Sequence, residues 1–198
     1  IFAGTRCKID DHMILDISEK HNDYILQAAQ AIKNGELVAM PTETVYGLAA
    51  NAFDEKAVAS IFVLKGRPQD NPLIVHVDSI PMAKSLVEFN EKAERLAERY
   101  WPGPLTMVLK NRGTIPEGVT AGLETVGIRM PDCDTALALI SAAGVPLAAP
   151  SANKSGSPSP TSAAHVAKDF GEELLILDAG ECDIGVESTG VARTRETP

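Results

Sequence analysis

The sequence predicts an α/β domain with a mixed sheet, on three observations. Strand-length apolar runs alternate with stretches of helical periodicity, the pattern of a sheet layered with helices. The apolar run 126–130 returns from 105–110 across a connection too short for a helical crossover, so part of the sheet is antiparallel. The chain has 198 residues, 44% of them hydrophobic, which supports one buried core and argues against bulk disorder.

The elements follow in order. Ile25, Ala28, Ala29 and Ile32 recur at helical spacing within 21–34, and Gly35 stops that helix. A strand at 36–40 is closed by Pro41. Asp54 can cap a helix whose apolar face is Ala57, Val58, Ile61 and Phe62. The polar loop 65–72 ends it, and 73–77 is a β-rich run. Pro81 at a helix start and Asn90 as a second cap mark two short helices up to Tyr100. Trp101-Pro102-Gly103-Pro104 forbids regular structure. Strands are expected at 105–110 and 126–130, and a helix runs from Asp132 or Asp134 through Ala143 to Gly144. A buried strand at 146–149, a helix at 161–170, a strand at 174–178 and a last strand at 186–192 complete the set. The Ser- and Pro-rich stretch 155–162 is an ordered loop rather than a linker, and there is no internal repeat.

Composition narrows function. A net charge of −9 disfavours a general nucleic-acid coat. No apolar run reaches the roughly 18 residues of a membrane span, and no signal peptide is expected. The first residue is Ile, so the true start is expected upstream; residues 1–12 read as a loose arm and 13–198 as one domain. Cys7, Cys133 and Cys182 lie far apart without metal or disulfide spacing, which fits a reducing compartment, the cytoplasm. Walker, Rossmann, zincin and nucleophile-elbow motifs are all missing, so no metal-ligating side chains and no protein nucleophile are expected.

Two polar loops stand out. Lys65-Gly66-Arg67-Pro68-Gln69-Asp70-Asn71-Pro72 precedes one apolar strand, and Pro150-Ser151-Ala152-Asn153-Lys154-Ser155-Gly156 follows another. Cations, hydroxyls and amides at strand edges can hold a phosphorylated ligand without a P-loop. In extended geometry Lys65 and Arg67 share a face, and Gly66 permits close backbone approach; the alternative is a solvated cation pair at a helix end. Asn71 directs an amide into the same loop. Ser151 and Asn153 bind oxygens or merely cap a helix. Thr42, Thr44 and Tyr46 face a cleft at a strand end, or form a hydroxyl-stabilised turn with Tyr46 in the core. His76 interrupts an apolar strand, where a hydrogen-bonded core histidine is the commoner outcome. Thr125 and Arg129 share a strand face; an interior arginine needs an anion, either a ligand or a structural salt bridge. Trp101-Pro102-Gly103-Pro104 is a cavity wall or a packed corner.

Taken together, P-T-E-T-V-Y-G-L, K-G-R-P-x-x-N-P-L, W-P-G-P-L-T, G-I-R-x-P, A-P-S-A-N-x-S-G and E-S-T make the chain resemble the YrdC-like family of threonylcarbamoyl-AMP synthases, in order from about Tyr24 to Thr189. The resemblance implies a twisted open sheet with flanking helices around a large concave cavity. It implies that L-threonine, bicarbonate and ATP become threonylcarbamoyl-AMP, pyrophosphate and water, the product serving threonylcarbamoyladenosine in tRNAs that read codons starting with A. By resemblance, Thr44, His76, Arg129 and Ser188 would hold threonine, with Arg129 on its carboxylate. Lys65 and Arg67 would act catalytically on the phosphates, and Asn71, Thr125, Ser151, Asn153 and Ser159 would line the ATP site. Mg²⁺ would accompany ATP. Partners would be ATP, L-threonine, bicarbonate and a downstream tRNA threonylcarbamoyl transferase machinery, with weak tRNA contact. The chain departs from the family after E-S-T, where an R-P-G turn is expected; Arg193 and Arg195 are weak substitutes, and the second domain of longer relatives is expected to be absent. Two rivals share the fold: an RNA-binding or ribosome-associated module, and the carbamoyl-adenylate chemistry of hydrogenase maturation.

Overall fold

The computed structural model describes residues 14–171 and 174–192. The expected arm at 1–12, Cys7, Arg193 and Arg195 lie outside the described residues. In chain order the elements are β1 (Ile14–Asp16), α1 (Ile17–Lys33), β2 (Val38–Met40), β3 (Gly47–Asn51), α2 (Glu55–Lys65), β4 (Ile74–His76), α3 (Ile80–Leu86), α4 (Glu91–Tyr100), β5 (Leu105–Lys110), α5 (Glu117–Thr120), β6 (Thr125–Arg129), α6 (Asp134–Ala143), β7 (Leu147–Ala148), α7 (Ala163–Phe170), β8 (Leu175–Asp178) and β9 (Thr189–Ala192).

Side-chain caps set most helix starts. Asp54 accepts from the Lys56 and Ala57 amides, and Asn90 from Ala93, as the sequence predicts. Asp16 accepts from Ser18 at 2.9 Å, so α1 begins four residues before the expected start at 21. The elements that escaped prediction are short or small: three-residue β1, four-residue α5, and β3, whose Gly-Leu-Ala-Ala-Asn has little β-branched content.

The strands form one open, mixed nine-stranded sheet in the order β1-β8-β2-β3-β7-β4-β6-β5-β9. β5 and β6 pair antiparallel, as their short connection requires, while β4 runs parallel to β6. Both faces are buried, and alternation along β2 shows it. Ala39 enters one core, with Val58, Ile61, Leu73 and Trp101; Val38 and Met40 enter the other, where α1 and α6 pack through Ile32, Leu139 and Ile140. Truncating one of these fully buried aliphatics to alanine costs about 2–5 kcal/mol. Among the described residues, no helix is long and apolar enough to cross a membrane.

β3 is the junction that places the site. Gly47, Leu48 and Ala49 pair with β2, while Ala50 and Asn51 pair with β7. A bridge from Gly47 to Ser151, with Leu48 N–H on Pro150 O, lays the loop after β7 beside the loop before β3. The loop before β3 and the loop after β7, about a hundred residues apart in sequence, thus meet at one end of the sheet.

Candidate functional site

The loop between β2 and β3 is built by a threonine. Thr42 Oγ1 accepts from the Thr44 and Val45 amides at 3.2 Å each and donates to Val45 O at 2.6 Å. Tyr46 is fully buried and donates to Gly180 O at 2.7 Å; burial pushes its phenol pKa upward. The turn-and-core alternative therefore holds for this loop, and the same turn points Thr44 towards a hollow.

Lys65 and Arg67 do not share an extended face. Lys65 ends α2, Gly66 is left-handed at φ 62°, and the Gly66 and Arg67 amides return to Val63 O and Phe62 O. A side chain at 66 would meet nothing within 4 Å, so glycine serves this φ and not a close approach. The helix end sends Lys65 inward, where its ammonium donates to the carbonyls of Ser151 and Asn153. Burial first, then repulsion by Arg67, lowers its pKa to about 8. Arg67 is half-buried and donates to Asn71 O at 3.5 Å and Pro72 O at 3.3 Å, while its Nε is buried without a partner. Neither cation meets a carboxylate oxygen within ion-pair distance among the described residues.

Arg129 is the opposite case. It is 3% exposed, and its guanidinium is held in three directions: Nε on Gly103 O at 3.2 Å, Nη1 on Thr44 Oγ1 at 3.0 Å and Nη2 at 2.7 Å from Glu43 Oε1. The anion an interior arginine needs is thus supplied by the protein. Gly103 can present that carbonyl because a Cβ there would lie 2.4 Å from Tyr100 O. The Trp-Pro-Gly-Pro segment is therefore a packed corner that also holds Arg129. His76 lies beside Arg129 in the β4–β6 register; burial, then the guanidinium, depresses its pKa to about 3, so its ring is neutral, and Nδ1 has no partner.

Thr44, Arg67, His76, Arg129, Ser151 and Ser188 line one cavity of about 230 Å³ that opens to solvent, with Thr42 and Glu187. Thr44 is recessed, at 0% exposure. Ser188 accepts from Thr106 at 3.0 Å. The other candidates are placed elsewhere. Lys65 acts on the wall from behind, through the loop carbonyls. Asn71 is exposed and offers its carbonyl, not its amide, to Arg67. Asn153 turns its amide to Lys154 O and Ser157 O. Ser159 donates to Glu187 at 2.6 Å. Thr125 shares a strand face with Arg129 but sits at the far end of β6, opposite Lys110, roughly 13 Å away at the rise of a strand, and does not line the cavity.

The residues to which sequence reasoning gave no role are Glu43, Glu187 and the Gly103 carbonyl. Glu43 had a signal: an acid between two threonines in a loop flanked by apolar strands, and an interior arginine in want of an anion. The cavity lining carries hydroxyls, two arginines, a neutral histidine and, among the described residues, Glu187 as its one carboxylate. That set suits an anionic ligand with hydrogen-bonding groups.

A family model described as Telomere recombination, of the Sua5/YciO/YrdC type, matches residues 30–198. The chain is 52% identical over 189 residues to a threonylcarbamoyl-AMP synthase of Pyrococcus abyssi, covering 94% of this chain and 56% of that one. It is 50% identical over 188 residues to the Bacillus subtilis protein of the same name, covering 93% and 54%. A crystal structure of P. abyssi Sua5 complexed with L-threonine superposes with a TM-score of 0.84 at 56% identity, covering 86% of this chain and 51% of that one. The chain spans about half the length of these relatives.

Proposed function

The chain belongs to the Sua5/YciO/YrdC family, and from that premise we propose that it is a threonylcarbamoyl-AMP synthase, a nucleotidyltransferase that uses ATP, L-threonine and bicarbonate. The observation that carries this reading is the convergence of Thr44, Arg67, His76, Arg129, Ser151 and Ser188, from separate stretches of sequence, on one cavity.

The chemistry follows from the placement. Threonine's amine adds to bicarbonate with loss of water, or to CO₂ with loss of a proton, giving a carbamate in either case. A carbamate oxygen attacks the α-phosphorus of ATP, forming the new P–O bond as the bond to pyrophosphate breaks. Carbamates decompose readily in water, so a recessed cavity protects the intermediate. The amino acid occupies the end floored by Thr44, His76 and Ser188, where the neutral, unpartnered imidazole nitrogen offers it a hydrogen bond. The triphosphate lies across the mouth by Arg67 and Ser151, outside the small hollow itself. Arg67 stabilises charge that grows on the phosphates, and Lys65 sets the 151–153 loop while adding positive potential. Positioning and charge do the catalysis, with no covalent enzyme intermediate.

Mg²⁺ commonly accompanies ATP. Among the described residues, no group of three or more His, Cys, Asp or Glu could hold a metal. We place the reaction in the cytoplasm, upstream of a transferase that passes the threonylcarbamoyl group to tRNA; any tRNA contact of this chain is weak, in keeping with its net charge of −9. The test is mass spectrometry of the nucleotide product from ATP, bicarbonate and L-threonine. Threonylcarbamoyl-AMP with pyrophosphate is expected; ATP left unchanged, or consumed without dependence on threonine, overturns the reading.

A further inference from the structure

We propose that Glu43 is a positioning residue for the amino-acid end of the cavity, acting through Arg129 on the Thr44 hydroxyl; the inference rests on the functional reading above. Glu43 itself does not line that cavity. It is 6% exposed, with Oε1 2.7 Å from Arg129 Nη2 as an ion pair without hydrogen-bond geometry and Oε2 without a hydrogen-bond partner, and it borders a second hollow whose other ionisable groups are Asp132, Cys133, Asp134, Glu181, Cys182 and Asp183. Arg129 is therefore the one cation that the described surroundings offer it.

The hydrogen bonds fix more than position. A hydroxyl has one proton and two lone pairs. Thr42 spends its proton on Val45 O, so in the 2.9 Å contact between Thr42 and Thr44 the donor is Thr44, which shares the Thr42 lone pairs with the two longer amide contacts at 3.2 Å. Thr44 also accepts from Arg129 Nη1. One lone pair of Thr44 remains. Towards the cavity Thr44 is an acceptor only: it reads an N–H or O–H of the ligand and repels a carboxylate. On this reading Arg129 is a strut for Thr44, in place of the carboxylate clamp that the family resemblance implies.

Glu43 keeps this polarity. Without it, Arg129 holds a buried charge with no partner, turns towards any available anion, and releases Thr44 to rotate its proton into the cavity. In Glu43→Gln the KM for L-threonine should rise about 10-fold while the KM for ATP stays within about twofold, the signature of one lost ligand contact. Glu43→Asp, which keeps the charge, should recover part of it. If Glu43→Gln alone fails to fold, Glu43→Gln with Arg129→Gln removes both buried charges, and the same rise in threonine KM is expected. Unchanged KM values in a folded variant, with only a lower melting temperature, overturn the proposal and leave Glu43 merely structural. A crystal structure of the variant gives a readout independent of activity. Arg129 still within hydrogen-bond distance of Thr44 would sink the positioning role even in an active enzyme. Arg129 displaced in the variant, with a wild type that forms no threonylcarbamoyl-AMP, would sink the functional reading and leave the positioning role standing.

Discussion

Arg67 and Arg129 line the same cavity, yet the protein treats their charges in opposite ways. Arg67 is half-buried, its side chain answered by backbone carbonyls. Arg129 is buried against Glu43, Gly103 and Thr44. A charge already matched inside the protein has little left for a ligand, while one met only by carbonyl dipoles still attracts an anion. In the proposed function it is the counter-ion, more than the arginine, that decides which of the two reads an anion.

The comparison can be broken by stability first. Arg129→Met strands Glu43 in the interior and should destabilise the fold by about 3–5 kcal/mol, whereas Arg67→Met should change it by no more than about 0.5 kcal/mol. Urea unfolding of both variants decides this, and similar losses would erase the distinction. Activity should invert the order of importance: Arg67→Ala is expected to slow threonine-dependent pyrophosphate release by about 100-fold with the fold intact. Near-wild-type turnover of that variant would remove Arg67 from the phosphate site.

Lys65 sharpens the contrast through pH. Its pKa of about 8 lies below the ordinary lysine value, chiefly through burial and then through Arg67. Between about 8 and the ordinary lysine range the unfolded chain binds a proton that the folded one does not, so this group makes stability rise with pH there; below about 8 its penalty is fully present. Pyrophosphate affinity should do the reverse and fall as pH climbs through about 8, because the ammonium is lost. Calorimetric titration on either side of that value tests it, and a flat profile assigns Lys65 to loop geometry alone. The smallest effect sets the floor: Lys84→Ala breaks the half-exposed pair with Glu94, and its loss should stay within about 1 kcal/mol, well below that of the buried pair.

Much of this was legible in the chain. Asp54, Asn90 and Gly144 mark helix ends by local chemistry, and the short return from β5 to β6 announces an antiparallel pair. Spacing failed where the backbone left the assumed geometry. Lys65 and Arg67 look like neighbours on an extended strand, but a left-handed Gly66 sends them apart. Thr125 and Arg129 share a face yet stand at opposite ends of β6. β3 went unnoticed because Gly47, Ala49 and Ala50 carry almost no strand signature, although that strand joins the two halves of the sheet.

By itself the sequence determined the alternation of helices and strands, their caps, the acidic balance and the set of polar loops that resembles one family. Those depend on neighbours a few residues away, where propensity and hydrogen bonding act. Only the tertiary structure decided how the charges are allotted: that Glu43 neutralises Arg129, that Lys65 turns to the carbonyls of Ser151 and Asn153, and that Arg67 meets backbone carbonyls. The Glu43 and Lys65 pairings span 86 to 88 residues of chain, and a buried charge takes whichever partner the fold sets beside it.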